Sequence, residues 1–371
     1  MSRYHFKIAD ANDNAELCAF SRTVEMSGAI RLVFDHQPDY LGSLSVEGSP
    51  AEVLVCRDTE TGRVVGSGHR SVKSLFVDGT IAPVGYLSGL RLDRAVRHGQ
   101  LLAQGYDFLH RRHADGRARF YLTTLMEDNR LAQSALLDGR CGLPAYHDFG
   151  RFHCMAIGLQ PQGGGEDHDQ NLRIRAATTA DGPVVVAFLQ REGRLRQFFP
   201  SYRIEDFAAA NGLLAGLQWE DILLAFRDDN LVGVVAAWDQ RDFRRWQIQS
   251  YAPWLGLCRG PANLIAGLMG KLRLPEPGSS LNYFILSLVC IQDNDRHVFA
   301  TLLNELIRHW QDRYDFFLAG LHERDLLLPE LQARRHFPLP SRLFVVAWED
   351  GAETVQSLDP SLVPYLELGA L

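Results

Sequence analysis

The sequence passes through the same order of elements twice, and that repetition limits its possible folds more than any single motif does. A polar, glycine-rich stretch without periodicity, Gln160 to Asn171, separates the two passes and has the character of a linker. Each pass opens with a short strand and then an acid placed to cap a helix. These are Phe6-Lys7, Ala9 and Asp13 in the first, and Ile174-Arg175, Ala177 and Asp181 in the second. A β-hairpin follows in each: Glu52–Asp58 with Arg63–Gly68, then Ile222–Arg227 with Leu231–Trp238, around turns rich in Asp, Asn and Gly. The apolar runs Val84–Leu92 and Phe284–Ile291 predict buried strands. Each leads through a polar loop carrying an Arg-His pair, Arg97-His98 or Arg296-His297, into an amphipathic helix, Gln100–His113 or Phe299–Gln311. Another strand follows, Phe120–Leu125 or Phe316–Leu321, with Asn129 beyond it in one pass and Asp325 in the other. Near-constant offsets predict a duplication, an α/β (α+β) chain of two tandem domains, 1–159 and 172–371, joined by 160–171.

Composition supports two buried cores: 46% of the 371 residues are hydrophobic. The formal net charge of -7 argues against wholesale nucleic-acid binding, which needs a basic footprint. Cys18, Cys56, Cys141, Cys154, Cys258 and Cys290 are scattered through apolar stretches without zinc spacing, as expected of reduced core residues in a cytoplasmic protein. The first residues lack the apolar block of a signal peptide, and no run approaches the ~20 apolar residues of a membrane helix. Neither a membrane nor a nucleic acid is expected as partner, and the oligomeric state is left open.

Chemistry is expected at Gly85 to Leu109, where a strand ends, a polar loop turns and a helix begins. Helix-start N–H groups are unpaired and the helix dipole adds positive potential, which together suit a phosphate. Arg94, Arg97 and His98 add charge in the same loop. The second loop, Ile291 to Leu303, lacks glycine and carries Asp293 and Asp295, and like charges there repel phosphate. It predicts a copy that binds no such ligand.

The order strand, hairpin, strand, Arg-bearing loop, helix, strand, Asn, helix resembles the GCN5-related N-acetyltransferase family. The repetition, with Met26-x-Gly28 and Gly85-Tyr86-Leu87, is similar to a bacterial tandem type. The resemblance implies a mixed, mostly antiparallel sheet flanked by helices in each domain. It also implies a strand splayed from its neighbour, with acetyl-coenzyme A or another acyl-coenzyme A held in the gap. Carried over by position, the coenzyme contacts are Leu90, Leu92, Arg97, His98, Gly99, Gln100, Leu101, Leu102 and Asn129. Gln100 and Leu102 stand where the family has glycine or alanine, and Leu136 stands where it often has a tyrosine that protonates the departing thiolate.

Acyl transfer to an amine needs a proton acceptor and donors to the tetrahedral intermediate. Tyr86 and Ser88 share one face of the splayed strand, Glu25 lies in the first helical region, and Tyr146 follows the Asn129 helix. These four are the catalytic candidates. His110 and His113 have a spacing that can bind metal, but at a helix C-terminus they complement the dipole without one, so no metal is expected. The resulting expectation is an acyl-coenzyme A-dependent N-acyltransferase acting on a small-molecule or peptide amine. A non-catalytic acyl-coenzyme A-binding regulatory or interaction protein is the alternative.

Overall fold

The computed structural model describes residues 3–23, 30–96, 99–137, 142–160, 171–253 and 275–371. Glu25, Met26, Gly28, Arg97, His98, Cys141, Cys258 and residues 161–170 of the expected linker lie outside them.

The first half comprises β1 (Tyr4–Ile8), α1 (Asn14–Ser21), β2 (Ile30–Asp35), β3 (Ala51–Asp58), β4 (Val64–Val77), β5 (Thr80–Leu92), α2 (Gly99–His113), β6 (Tyr121–Met126), α3 (Arg130–Leu137) and β7 (Ala145–Gly158). The second contains β8 (Leu172–Ala176), α4 (Gly182–Gly193), β9 (Arg196–Gln197), β10 (Ile222–Arg227), β11 (Asn230–Trp238), β12 (Arg245–Tyr251), β13 (Tyr283–Ile291), α5 (Arg296–Trp310), β14 (Phe316–His322), α6 (Leu328–Gln332), β15 (His336–Ala347), α7 (Ala352–Gln356) and β16 (Val363–Pro364). The two acids expected as caps act alike. Asp13 accepts from the backbone N–H of Asp10, and Asp181 from that of Thr178, each closing the turn before its helix. Helix α5 starts at Arg296 rather than Phe299, because the Asp295 side chain accepts from His297 N and Val298 N and pulls the first turn forward.

The two halves do not form separate sheets. Twelve strands make one sheet in the order β1-β3-β4-β5-β6-β15-β7-β14-β13-β11-β10-β8. The order is symmetric about its centre: each half supplies five strands to its own wing and sends its sixth to the other. β15 pairs with β6 of the first half, and β7 with β14 of the second. β7 and β15 pair with each other along almost their whole length, from Ala145↔Ala347 to Ile157↔His336. A second connection was not anticipated from the sequence: β2 and β12 form an antiparallel ribbon between the halves. The main apolar core follows the same plan, since Val46, Phe76, Met155 and Ile157 of the first half pack in the cluster formed mostly by the second.

Because β15 supplies the hydrogen-bonding edge between β6 and β7, a chain cut in the linker should leave neither half complete. Expressed alone, residues 1–159 and 172–371 should each aggregate or lack a cooperative melt, and co-expression should recover a complex. Gel filtration and circular dichroism check this; a monomeric, cooperatively melting 1–159 fragment would contradict it.

Candidate functional site

Strands β5 and β6 run parallel but pair only at Gly85↔Tyr121 and Tyr86↔Leu122. Beyond that point they part. The vertex needs Gly85, since a Cβ there would fall 2.0 Å from the Tyr121 ring. Tyr121 is itself held by Arg70 Nε at 3.1 Å and His113 Nδ1 at 3.0 Å. Past the vertex, β5 bulges. Gly89 takes φ +59, a conformation that favours glycine, and the β4 register shifts between Ser67 and His69. A cavity of about 280 Å³ opens in the fork, bounded by β5, β6, α2, α3 and the strands beside β5. Its polar wall includes Ser67, His69, Ser88, Thr123, Thr124 and Asn129, and the remainder is largely apolar.

Behind the polar wall lies a buried chain of hydrogen bonds. Tyr40 OH lies 2.8 Å from His69 Nε2, and His69 Nδ1 lies 3.1 Å from Ser88 Oγ. Ser88 Oγ donates to Glu47 Oε2 at 2.6 Å. Glu47 Oε1 in turn meets Arg244 of the second half at 3.2 Å, and both side chains are almost wholly buried. Burial alone would raise the Glu47 carboxyl, but His69, Arg244 and Ser88 outweigh it and hold it at about 2. The His69 ring packs so closely over Gly89 that a Cβ there would lie 2.3 Å from its Cε1. The bulge and the histidine therefore form one feature.

Of the coenzyme positions expected from the sequence, Leu90, Leu92, Leu101, Leu102 and Asn129 line this cavity. Gly99 begins α2 and Gln100 is exposed beside it. Asn129 Oδ1 accepts from Ala132 N at 3.1 Å, so it caps α3 while bordering the cavity. Among the catalytic candidates, Ser88 is in the polar wall. Tyr146 lines the opposite side, its hydroxyl 2.5 Å from that of Tyr106, and burial raises it well above the usual tyrosine value. Leu136 occupies the same wall. Tyr86 departs from expectation. It shares the Ser88 face but lies deeper, in the core with Val84, Phe120 and Leu122, and Lys73 Nζ sits over its ring at 5.3 Å. It does not border the cavity. Burial raises the Cys154 thiol to about 12, which leaves it inert at neutral pH. His113 contacts Asp350 at 3.0 Å and His110 stacks on Trp348, so both histidines have structural partners. Sequence reasoning missed Tyr40, Glu47, His69 and Arg244. The run Gly66-Ser67-Gly68-His69 was the available signal, because two glycines flanking a serine weaken a strand unless something needs the space.

The second fork has the same frame and different contents. β13 and β14 pair from Tyr283↔Phe316 to Ile285↔Leu318 and then part. Leu288 takes φ +53 three residues before the strand end, as Gly89 does in the first half. Its N–H is used: it donates to Glu367 Oε2 at 2.9 Å, an oxygen that also accepts from Tyr365 OH at 2.9 Å and Tyr202 OH at 3.2 Å. At the helix start, the Asp295 carboxylate takes the N–H groups of His297 and Val298. Asp325, the counterpart of Asn129, is buried against Arg196 at 2.8 Å.

No protein-family model matches the sequence, and no curated protein matches it. Solved structures match its fold. A Saccharomyces cerevisiae N-myristoyltransferase with bound myristoyl-CoA and inhibitors superposes with a TM-score of 0.60 at 12% identity, covering 99% of this chain and 87% of that one. A GCN5-related glucosamine N-acetyltransferase region of a fungal multi-domain GH3 β-N-acetylglucosaminidase gives 0.60 at 11% identity, over 93% of this chain and 38% of that one. The chain thus has the GCN5-related N-acetyltransferase fold.

The Glu47 environment sets a pH dependence. A carboxyl whose folded pKa lies below its unfolded value stabilises the fold above the unfolded value, and that contribution is lost as pH falls toward the folded one. Glu47→Gln also leaves Arg244 buried without its counter-charge. It should destabilise the protein by on the order of 3 kcal/mol at neutral pH. The wild-type and variant stabilities should converge as pH falls from about 4.5 toward about 2. Urea denaturation across that range measures both, and a gap that does not narrow would show that Glu47 is not the group responsible.

Proposed function

We propose that the first fork binds an acyl-coenzyme A and that the protein transfers its acyl group to a primary amine by direct attack. The observation that carries this reading is the placement of the Tyr40–His69–Ser88–Glu47 chain against the bulge at Gly89, on the wall of the open fork. In the second fork the equivalent bulge N–H and helix start are taken by Glu367 and Asp295, so one acyl-coenzyme A per chain is proposed. Two solved proteins sharing the fold are, by their descriptions, an N-acyltransferase holding an acyl-CoA and an N-acetyltransferase region, which supports the same reaction class.

In this reading the start of α2, with Arg97 and His98, takes the pyrophosphate, and the pantetheine lies between β5 and β6 past Asn129. The thioester reaches the bulge. The amine nitrogen bonds to the carbonyl carbon as the carbon–sulfur bond breaks. The Ser88 hydroxyl turns from Glu47 to His69 Nδ1, so that Oγ accepts the proton of the amine as its own passes to His69, while Glu47, 3.7 Å from the ring, balances the charge. The proton finally returns to the departing thiolate. Tyr146, kept protonated by burial, offers that thiolate a hydrogen bond from the opposite wall. Leu136, in place of the family tyrosine, favours a second reading in which the protein binds the thioester without turning it over.

Thiol release from acyl-coenzyme A across a panel of primary amines tests the proposal. His69→Ala should lower kcat by about 10²- to 10⁴-fold, the usual contribution of a general base, with coenzyme A affinity little changed. Binding without release across the panel would select the second reading instead. Asn129→Ser should keep the α3 cap and the melting temperature but weaken coenzyme A binding by roughly 5- to 10-fold, the equivalent of one hydrogen bond, read by calorimetry. Unchanged affinity would reduce Asn129 to a cap.

A further inference from the structure

The cavity extends beyond what a thioester in the fork would need. From β5 it continues sideways beneath α2, across β4 and β3 to Phe6 of β1. The floor is open at Gly68 of β4, whereas Gly66 lies against Leu92 and Gly105 of α2 packs on Phe6, where a Cβ would come within 2.9 and 3.4 Å of those side chains. A Cβ at Gly68 would meet nothing within 4 Å, so no packing neighbour requires glycine there. Glycine in a strand interior weakens the strand and leaves a core layer unfilled. The walls of this extension are apolar, formed by Phe6, Leu54, Cys56, Leu101 and Leu109. The polar groups of the cavity gather at the other end, around Ser88 and Thr124. Apolar space of this kind stays dry and accepts apolar guests.

We infer that this glycine-floored trough holds the hydrocarbon chain of the acyl group, and that the donor is a medium- or long-chain fatty acyl thioester rather than an acetyl thioester. The inference rests on the proposed binding of acyl-coenzyme A in the first fork. It sharpens that reading through residues that, Leu101 apart, are not among the expected coenzyme contacts. The thioester carbon would lie beside the Gly89 bulge, and the chain would leave it away from the amine, over Gly68 and under Gly105. An acetyl group would leave the trough empty.

Calorimetry on the full-length protein with coenzyme A, acetyl-coenzyme A and octanoyl-coenzyme A tests this. Each buried methylene strengthens binding by about fourfold, so octanoyl-coenzyme A should bind at least roughly tenfold tighter than acetyl-coenzyme A. Gly68→Leu should fill the trough and bring the two affinities within about threefold, while its circular dichroism melt shows whether it folds. Equal affinities for the two thioesters in the wild type would overturn the inference whatever the variant does, as would an octanoyl advantage that survives in folded Gly68→Leu. If coenzyme A fails to bind at all, the acyl-coenzyme A reading falls, and a dansyl-labelled fatty acid then judges the trough itself. Its displacement by decanoate in the wild type but not in Gly68→Leu would uphold an apolar-chain site, and no binding of the probe would remove it.

Discussion

The antiparallel pairing of β7 with β15 at the centre of the sheet is the constraint on which the rest of the molecule depends. Each strand belongs by sequence to one half and by hydrogen bonding to both. A chain built this way cannot order one wing of its sheet while leaving the other free, because the central strand of each wing is supplied by the opposite half. The duplication therefore yields one continuous sheet with two forks. The β2–β12 ribbon and the ion pairs from Asp35 and Glu47 to Arg245 and Arg244 lie on that same junction.

The candidate site inherits this arrangement. Its polar chain begins on the segment before β3, runs through β4 and β5, and ends on an arginine that follows β11. An isolated carboxylate as deeply buried as Glu47 would be expensive. Arg244 from the other half and the donors at Ser88 and His69 offset that penalty, so the charge survives behind the polar wall of the cavity. Two further nitrogens of Arg244 find no partner among the described residues, and its guanidinium instead lies 5.1 Å from the centre of the Phe34 ring. The second half thus contributes to the first fork through charge rather than by lining it.

The two forks show how one backbone frame takes on different chemistry. Both keep a parallel pair that parts after a short contact, and both keep a bulge three residues before the strand end. At the first, a glycine at the bulge lets an imidazole pack directly over the backbone. At the second, a leucine accepts the left-handed conformation while a buried glutamate from the C-terminal segment binds its N–H. Burial raises that glutamate, which its tyrosine and backbone partners counter only in part. The same exchange happens at the helix starts, where Asp295 supplies internally the negative charge that the dipole favours.

The sequence by itself determined the order of elements, the doubling of that order, the cap acids Asp13 and Asp181, and the strand–loop–helix segment that forms the fork. These are local properties: side-chain period, turn chemistry and capping act over a few residues and leave direct marks in the string. Ser88 and Tyr146 were legible as residues near the fork because they sit on or beside those elements, and Leu101 and Leu102 because they open the helix; all four line the cavity. Tyr86 was misplaced toward the cavity because alternation gives a residue's face of the strand but not its depth. The exchange of β7 and β15 had no local mark, since which strand pairs with which is settled by the packing of two whole halves. The same holds for the chain at positions 40, 47, 69, 88 and 244, whose members are brought together only by the folded sheet, and for Glu367, which reaches the second fork across 79 residues of sequence. Only the tertiary structure decided them, because the energy of a buried charge or an occupied bulge depends on neighbours that sequence order does not place nearby.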